Sequence, residues 1–155
     1  VIFVESPLMC ATPDEDPDLW VALTDIDDRQ PLHLSPIWHQ AALLCILQLT
    51  DAALSICLDK FLPDPDGEIT SDVFRVLESL EEREYDFNCP VSPLSYQRLL
   101  GCWRYNSFGH HTWSPGMVMF DTASMMSHSC RPTACWHYGT GDQFVARART
   151  LIKKG

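Results

Sequence analysis

The amino-acid sequence predicts one α+β domain, and three observations carry that prediction. Two Ser-Pro pairs, at 35–36 and 92–93, each open an apolar run with helical spacing. Ser is a favoured helix N-cap and Pro a favoured first helical residue. Short runs of β-branched and aromatic residues lie at the start of the chain and between 117 and 148, apart from the helical patterns. Strands and helices grouped in this way indicate α+β architecture rather than strict alternation. A length of 155 residues, 46% hydrophobic and 21% charged, suits a single core.

Taken in order, residues 1–9 begin with Val1, Ile2 and Phe3 and halt at Pro7, which predicts a first strand. The stretch 12–31 sets Asp14, Glu15, Asp16, Asp18, Asp25, Asp27 and Asp28 against the single Arg29. Charge runs are usually solvated, so an acidic connector is expected, ahead of a surface that attracts a basic peptide. A helix is predicted over 35–61, apolar around much of its circumference and therefore buried on more than one side. Residues 64–70 form a Pro/Gly turn. A calcium loop fails there, because placing Gly67 at the turn position leaves Leu62 and Val73 where carboxylates belong.

Val73, Phe74, Val76, Leu77 and Leu80 recur at helical spacing beneath an outer face of glutamates, giving a second helix. The third helix, 92–105, is expected to turn Leu94, Leu99, Leu100 and Trp103 inward. Gly101 inside it costs roughly 1 kcal/mol relative to Ala, which implies close packing at that point. Strands follow at 117–120, 134–138 and 142–148, the last two joined as a hairpin through Gly139-Thr140-Gly141. The domain thus divides into the first strand, a connector and helical insertion over about 12–105, and a C-terminal half at 106–155.

The net charge of −10 argues against unaided binding to nucleic acid and favours a basic protein partner. Seven cysteines without a C-x-x-C pair predict free thiols in a reducing, intracellular compartment. No apolar stretch is long enough for a membrane span, the longest being interrupted by Gln48, Thr50 and Asp51. His110 and His111 stand side by side without an acidic or cysteine partner at a ligand-like offset, and are expected to be exposed loop residues.

The segment 124–135 has neither helical nor strand periodicity, and places Ser127, His128, Ser129 and Cys130 in a row before Pro132. A turn-rich, functional loop is expected. The run Ser127-His128-Ser129-Cys130-Arg131-Pro132-Thr133 resembles the Asn-His-Ser-Cys-x-Pro-Asn signature of SET-domain protein lysine methyltransferases. Asn106-Ser107-Phe108, the opening residues 1–9 and the ending 144–155 are similar to the same family. The likeness is closest to its insertion-bearing branch, known from proteins combining SET and MYND modules, though no MYND finger is visible.

The resemblance implies a SET-type fold of short strands around a knot-like loop. It also implies S-adenosylmethionine as methyl donor and a lysine-containing protein or peptide, histones included, as substrate. By position, Asn106, Ser124, Met126, Ser127 and His128 would border the donor, and Phe108 would face the lysine channel. Ser127 and Thr133 replace the two asparagines of the signature; one neutral hydrogen bond is worth about 0.5–1.5 kcal/mol, so weaker donor binding follows. Cys130 would join zinc only where a cysteine-rich tail follows; otherwise a packed, unmetallated thiol is expected. The family's Gly-x-Gly loop and its catalytic tyrosine are expected before Val1 and after Gly155, so no catalytic residue is assigned within the chain. A SET-derived interaction module with an acidic surface and no catalysis is the alternative.

Overall fold

The computed structural model describes residues 1–61, 68–87, 89–127 and 129–151. The predicted turn at 64–70 lies mostly outside them, as do His128 and the last four residues of the ending. The α+β prediction holds. Among the described residues, two antiparallel three-stranded sheets combine with five α-helices: β1 (Phe3–Glu5), β6 (Phe144–Ala148) and β5 (Ala134–Tyr138) form one sheet, in that order. The other sheet runs β2 (Met9–Ala11), β4 (Met117–Met119), β3 (Ser107–Gly109).

The first strand is in fact two. Pro7 carries no N–H for a ladder, and the chain changes sheets around it. Val4 pairs with Val145 in one sheet, while Cys10 pairs with Val118 in the other. The acidic connector is likewise corrected, because Pro17–Arg29 is a helix, α1. Asp16 caps it by accepting from Leu19 N at 3.0 Å, and Pro17 follows as the first helical residue. Leu19, Ala22, Leu23 and Ile26 are buried at i, i+3, i+4 and i+7, a helical stripe that the surrounding aspartates obscure.

The long helix expected over 35–61 is two helices, α2 (Pro36–Gln48) and α3 (Asp51–Lys60), parted where Leu49 adopts an extended ψ of 143°. Leu54 N donates to Thr50 O at 2.8 Å, so a fresh helical ladder starts at Thr50. α4 (Ser71–Glu82) buries Val73, Val76 and Leu80 as expected, but Phe74, next to Val73 and so turned off that face, is exposed. α5 (Pro93–Asn106) buries Leu99, Leu100, Gly101 and Trp103, but Leu94, in the first turn, is 52% exposed rather than inward. None of the helices is long and apolar enough to cross a membrane, among the described residues.

Strand β4 organises the interior. Met117 and Met119 pack into the larger cluster with the helices, whereas Val118 belongs to a smaller cluster with Phe120, Ala123, Phe144 and Ala146. Alternate side chains of a strand face opposite ways, so one short strand serves both cores. The larger core is closed by Trp103, whose indole N–H donates to Cys45 Sγ at 3.2 Å. The smaller core supports the surface on which the polar loop lies.

Candidate functional site

Phe108 on β3 and Trp136 on β5 meet Phe144 on β6, itself a member of the smaller core. The Trp136 ring stands edge-on to Phe108 at 5.1 Å and stacks on Phe144 at 5.1 Å, and Phe108 lies 5.4 Å from Phe144. Phe120 supports two of them from below, at 5.7 Å from Phe108 and 5.3 Å from Phe144. The three upper rings form one side of a pocket of about 490 Å³. Its other side is the polar loop, through Met126, Ser127, Ser129 and Pro132, with Cys135 at the edge. Among the described residues, no charged side chain lines this pocket.

Both ends of the loop are anchored. At its entry, a single 3-10 turn at Ala123–Met125 is held by Glu5 of β1, whose two carboxylate oxygens accept from Thr122 N at 2.7 Å and Ala123 N at 2.9 Å. Ser124 Oγ accepts from Phe120 N at 3.0 Å and closes the same turn. At the exit, Arg149 N donates to Thr133 O at 2.8 Å, extending the β5–β6 ladder to the loop's last residue. Within the loop, Ser129 Oγ accepts from Arg131 N at 3.2 Å. The segment is short, irregular and pinned, which pre-organises a wall made from residues of no regular element.

Of the residues singled out in the sequence, Phe108, Met126 and Ser127 line the pocket. Ser124 does not; its hydroxyl is engaged in the turn. Asn106 also stands apart from the lining, buried at the end of α5, with Nδ2 donating to Cys102 O at 2.8 Å. His128 lies outside the described residues. Cys130 is exposed, not packed as expected, and forms no disulfide. Trp136, Phe144 and Glu5 went unnoticed in the sequence. The alternation Ala134, Trp136, Tyr138 along one face of β5 was the signal available for the first.

The expectation of exposed loop histidines holds for His111 and is corrected for His110. They leave the end of β3 with their rings stacked, 5.7 Å apart and 11° from parallel, and the His110 side chain is only 6% exposed. Asp142, in the turn between β5 and β6, supplies the acidic partner that no sequence offset revealed. Its Oδ1 lies 3.5 Å from His110 Nε2 and contacts His111 Nδ1. Tyr138 stacks on His111 at 5.1 Å and donates its hydroxyl to Gly109 O. Burial, then the Asp142 charge, raises the Tyr138 phenol above its ordinary pKa, and the same two causes push the Cys10 thiol up to about 11.

A larger cleft, of about 710 Å³, opens among the helices beside His33, His39, Asp72 and Gln97. Much of its polarity is already spent internally. Asp72 accepts from His33 N at 2.7 Å and meets His33 Nδ1 at 3.0 Å; Gln97 Oε1 accepts from Thr70 N and Oγ1, both at 3.0 Å. Burial works against the Asp72 carboxylate, yet the His33 hydrogen bonds and the Arg75 charge hold its pKa below the usual carboxylate value. Such pairing is what a structural role requires.

The fold and its site therefore define an α+β protein with an aromatic pocket walled by an anchored polar loop. No protein-family model matches the chain, and no curated protein matches it either.

Proposed function

We propose that the chain is the core of a SET-type protein lysine methyltransferase, with the knot-like loop of that fold at 124–135. One observation carries the reading: Phe108, Met126 and Ser127, which the sequence resemblance sets around donor and lysine, line a single pocket. S-adenosylmethionine, when bound, supplies a methyl group on a positively charged sulfur. Three aromatic faces suit such a cation, since ring faces attract positive charge. The Ser127 hydroxyl is able to donate and accept beside it. The apolar faces of Phe108, Met126, Trp136 and Phe144 also favour the neutral form of a lysine amine, the form that attacks. A protein substrate, a histone among them, would bring its lysine past Phe108, in the nucleus or the cytoplasm.

One observation favours the second reading, a non-catalytic module for a basic partner. The chain carries a net charge of −10, which suits a basic partner. Calorimetry with S-adenosylhomocysteine on the folded full-length protein separates the two. Methyl transfer requires binding together with lysine-dependent mass gain on a peptide; silence at millimolar ligand would reject it. Peptide binding without mass gain supports the module.

A further inference from the structure

We infer that His110, His111 and Asp142 form a site for a divalent transition-metal ion, which ties the β5–β6 turn to the end of β3. The reading goes beyond methyl transfer and does not depend on it. One nitrogen of each histidine and one carboxylate oxygen lie within 4.8 Å of one another. The three come from two sheets: the histidines follow β3, whereas Asp142 sits between β5 and β6.

The backbone is bent to bring them together. Gly141 and Asp142 both have positive φ, 64° and 62°, and Asp is among the few residues with a side chain that adopt such values readily. On the other side, His110 N donates to Gly116 O at 2.9 Å, and a Cβ at Gly116 would stand 2.9 Å from His110 Cβ. Only glycine permits the loop 110–116 to close so tightly behind the ring.

Hydrogen bonding within the cluster is incomplete in a way that a cation remedies. Asp142 Oδ1 is buried and has no hydrogen bond of acceptable geometry, although two ring nitrogens face it. A buried carboxylate oxygen without a donor costs free energy, and a shared ion removes that cost. His111 is prepared for ligation: its Nε2 lies 3.0 Å from Thr112 Oγ1, which can accept the Nε2 proton and leave the Nδ1 lone pair facing inward.

His110 is less ready. Its Nδ1 accepts from Thr112 N and Trp113 N, both at 3.2 Å, so its neutral ring carries the proton on Nε2. To ligate, that proton must move to Nδ1 at the expense of those two contacts. His111 and Asp142 thus carry most of the affinity. Two imidazoles and one carboxylate select zinc, cobalt, nickel or copper over magnesium and calcium, which prefer all-oxygen shells.

The test uses the full chain with its exposed Cys89, Cys130 and Cys135 first alkylated by iodoacetamide. Zinc chloride is titrated calorimetrically, and cobalt chloride is followed by absorption. One ion per chain is expected, with cobalt bands free of thiolate charge transfer. His111→Ala and Asp142→Asn should each weaken binding by at least about tenfold, as loss of a ligand costs no less than loss of its supporting contacts. Asn keeps the positive φ accessible, and circular dichroism checks that both variants fold. Binding unchanged in both variants, a thiolate band, or no binding at millimolar metal overturns the site.

Discussion

Trp136 stacks on Phe144 across neighbouring strands, with ring centroids 5.1 Å apart and planes 19° apart. Trp136 is directly opposite Ala146, and Phe144 opposite Tyr138, so the two rings are diagonal neighbours on one face of the sheet. An exposed tryptophan thereby rests on a fully buried phenylalanine. The pocket wall is continuous with the smaller core.

Trp136→Ala is expected to empty one side of the pocket while sparing the fold. Cross-strand aromatic contacts contribute about 0.5–1.5 kcal/mol beyond area burial, and Trp136 is 43% exposed, so a loss of about 1–2 kcal/mol should appear in urea denaturation. Affinity for S-adenosylhomocysteine or a lysine peptide should fall by a larger factor than stability suggests. Equal binding by the variant would remove Trp136 from the site.

His39 gives the protein an acid sensitivity of known sign. Its ring is buried with Nδ1 2.6 Å from the Tyr96 hydroxyl, and burial lowers its pKa from 6.5 to about 4. The unfolded chain takes up this proton first as pH falls, so stability is full above about pH 6.5 and declines toward pH 4. The decline from this one group amounts to about 3 kcal/mol. His39→Gln should flatten that part of a stability–pH curve measured by chemical denaturation. An unchanged slope would mean that His39 titrates normally.

The strands of the β5–β6 hairpin and the helices beginning at Pro36 and Pro93 were legible because Ser-Pro caps and alternating residues are local signals. α1 was not, since aspartates beside Leu19 and Ile26 mask a four-residue stripe that only burial makes decisive. The break at Leu49 falls in an unbroken apolar run, where composition holds no boundary. Pro7 was seen, but a proline says that a ladder stops and not which sheet comes next. Of the pocket lining, Phe108, Met126 and Ser127 were named through the sequence resemblance, whereas Trp136 and Phe144 reach the pocket, and Asp142 reaches the histidines, through strand pairing, which is long-range by nature.

Asp16 joins three elements and should be worth more than an ordinary cap. Its Oδ1 accepts from Leu19 N, its Oδ2 accepts from the Tyr85 hydroxyl, and its backbone oxygen accepts from Gln40 Nε2 at 3.2 Å. Burial, then the bond to Asp16, raises the Tyr85 phenol well above its usual pKa. Asp16→Ala removes the cap and strands the phenol, for a loss of about 2–3 kcal/mol in thermal or chemical unfolding. Asp16→Asn keeps a capping oxygen and should lose about half as much. Parity of the two variants would show that the Asp16 side chain caps nothing.

Cysteine reactivity should divide along burial. Burial pushes the Cys45 thiol up to about 12 and the Cys102 thiol up to about 11, and both side chains are enclosed by the larger core. The thiolate is the reactive form, so these two should resist alkylation for as long as the chain stays folded. Cys10, raised to about 11 and half-covered by β2 packing, should react slowly. Cys89, Cys130 and Cys135 are exposed and should be modified first. Peptide mass mapping after native iodoacetamide treatment reads all of them at once. Early labelling of Cys45 would contradict the buried Trp103–Cys45 contact.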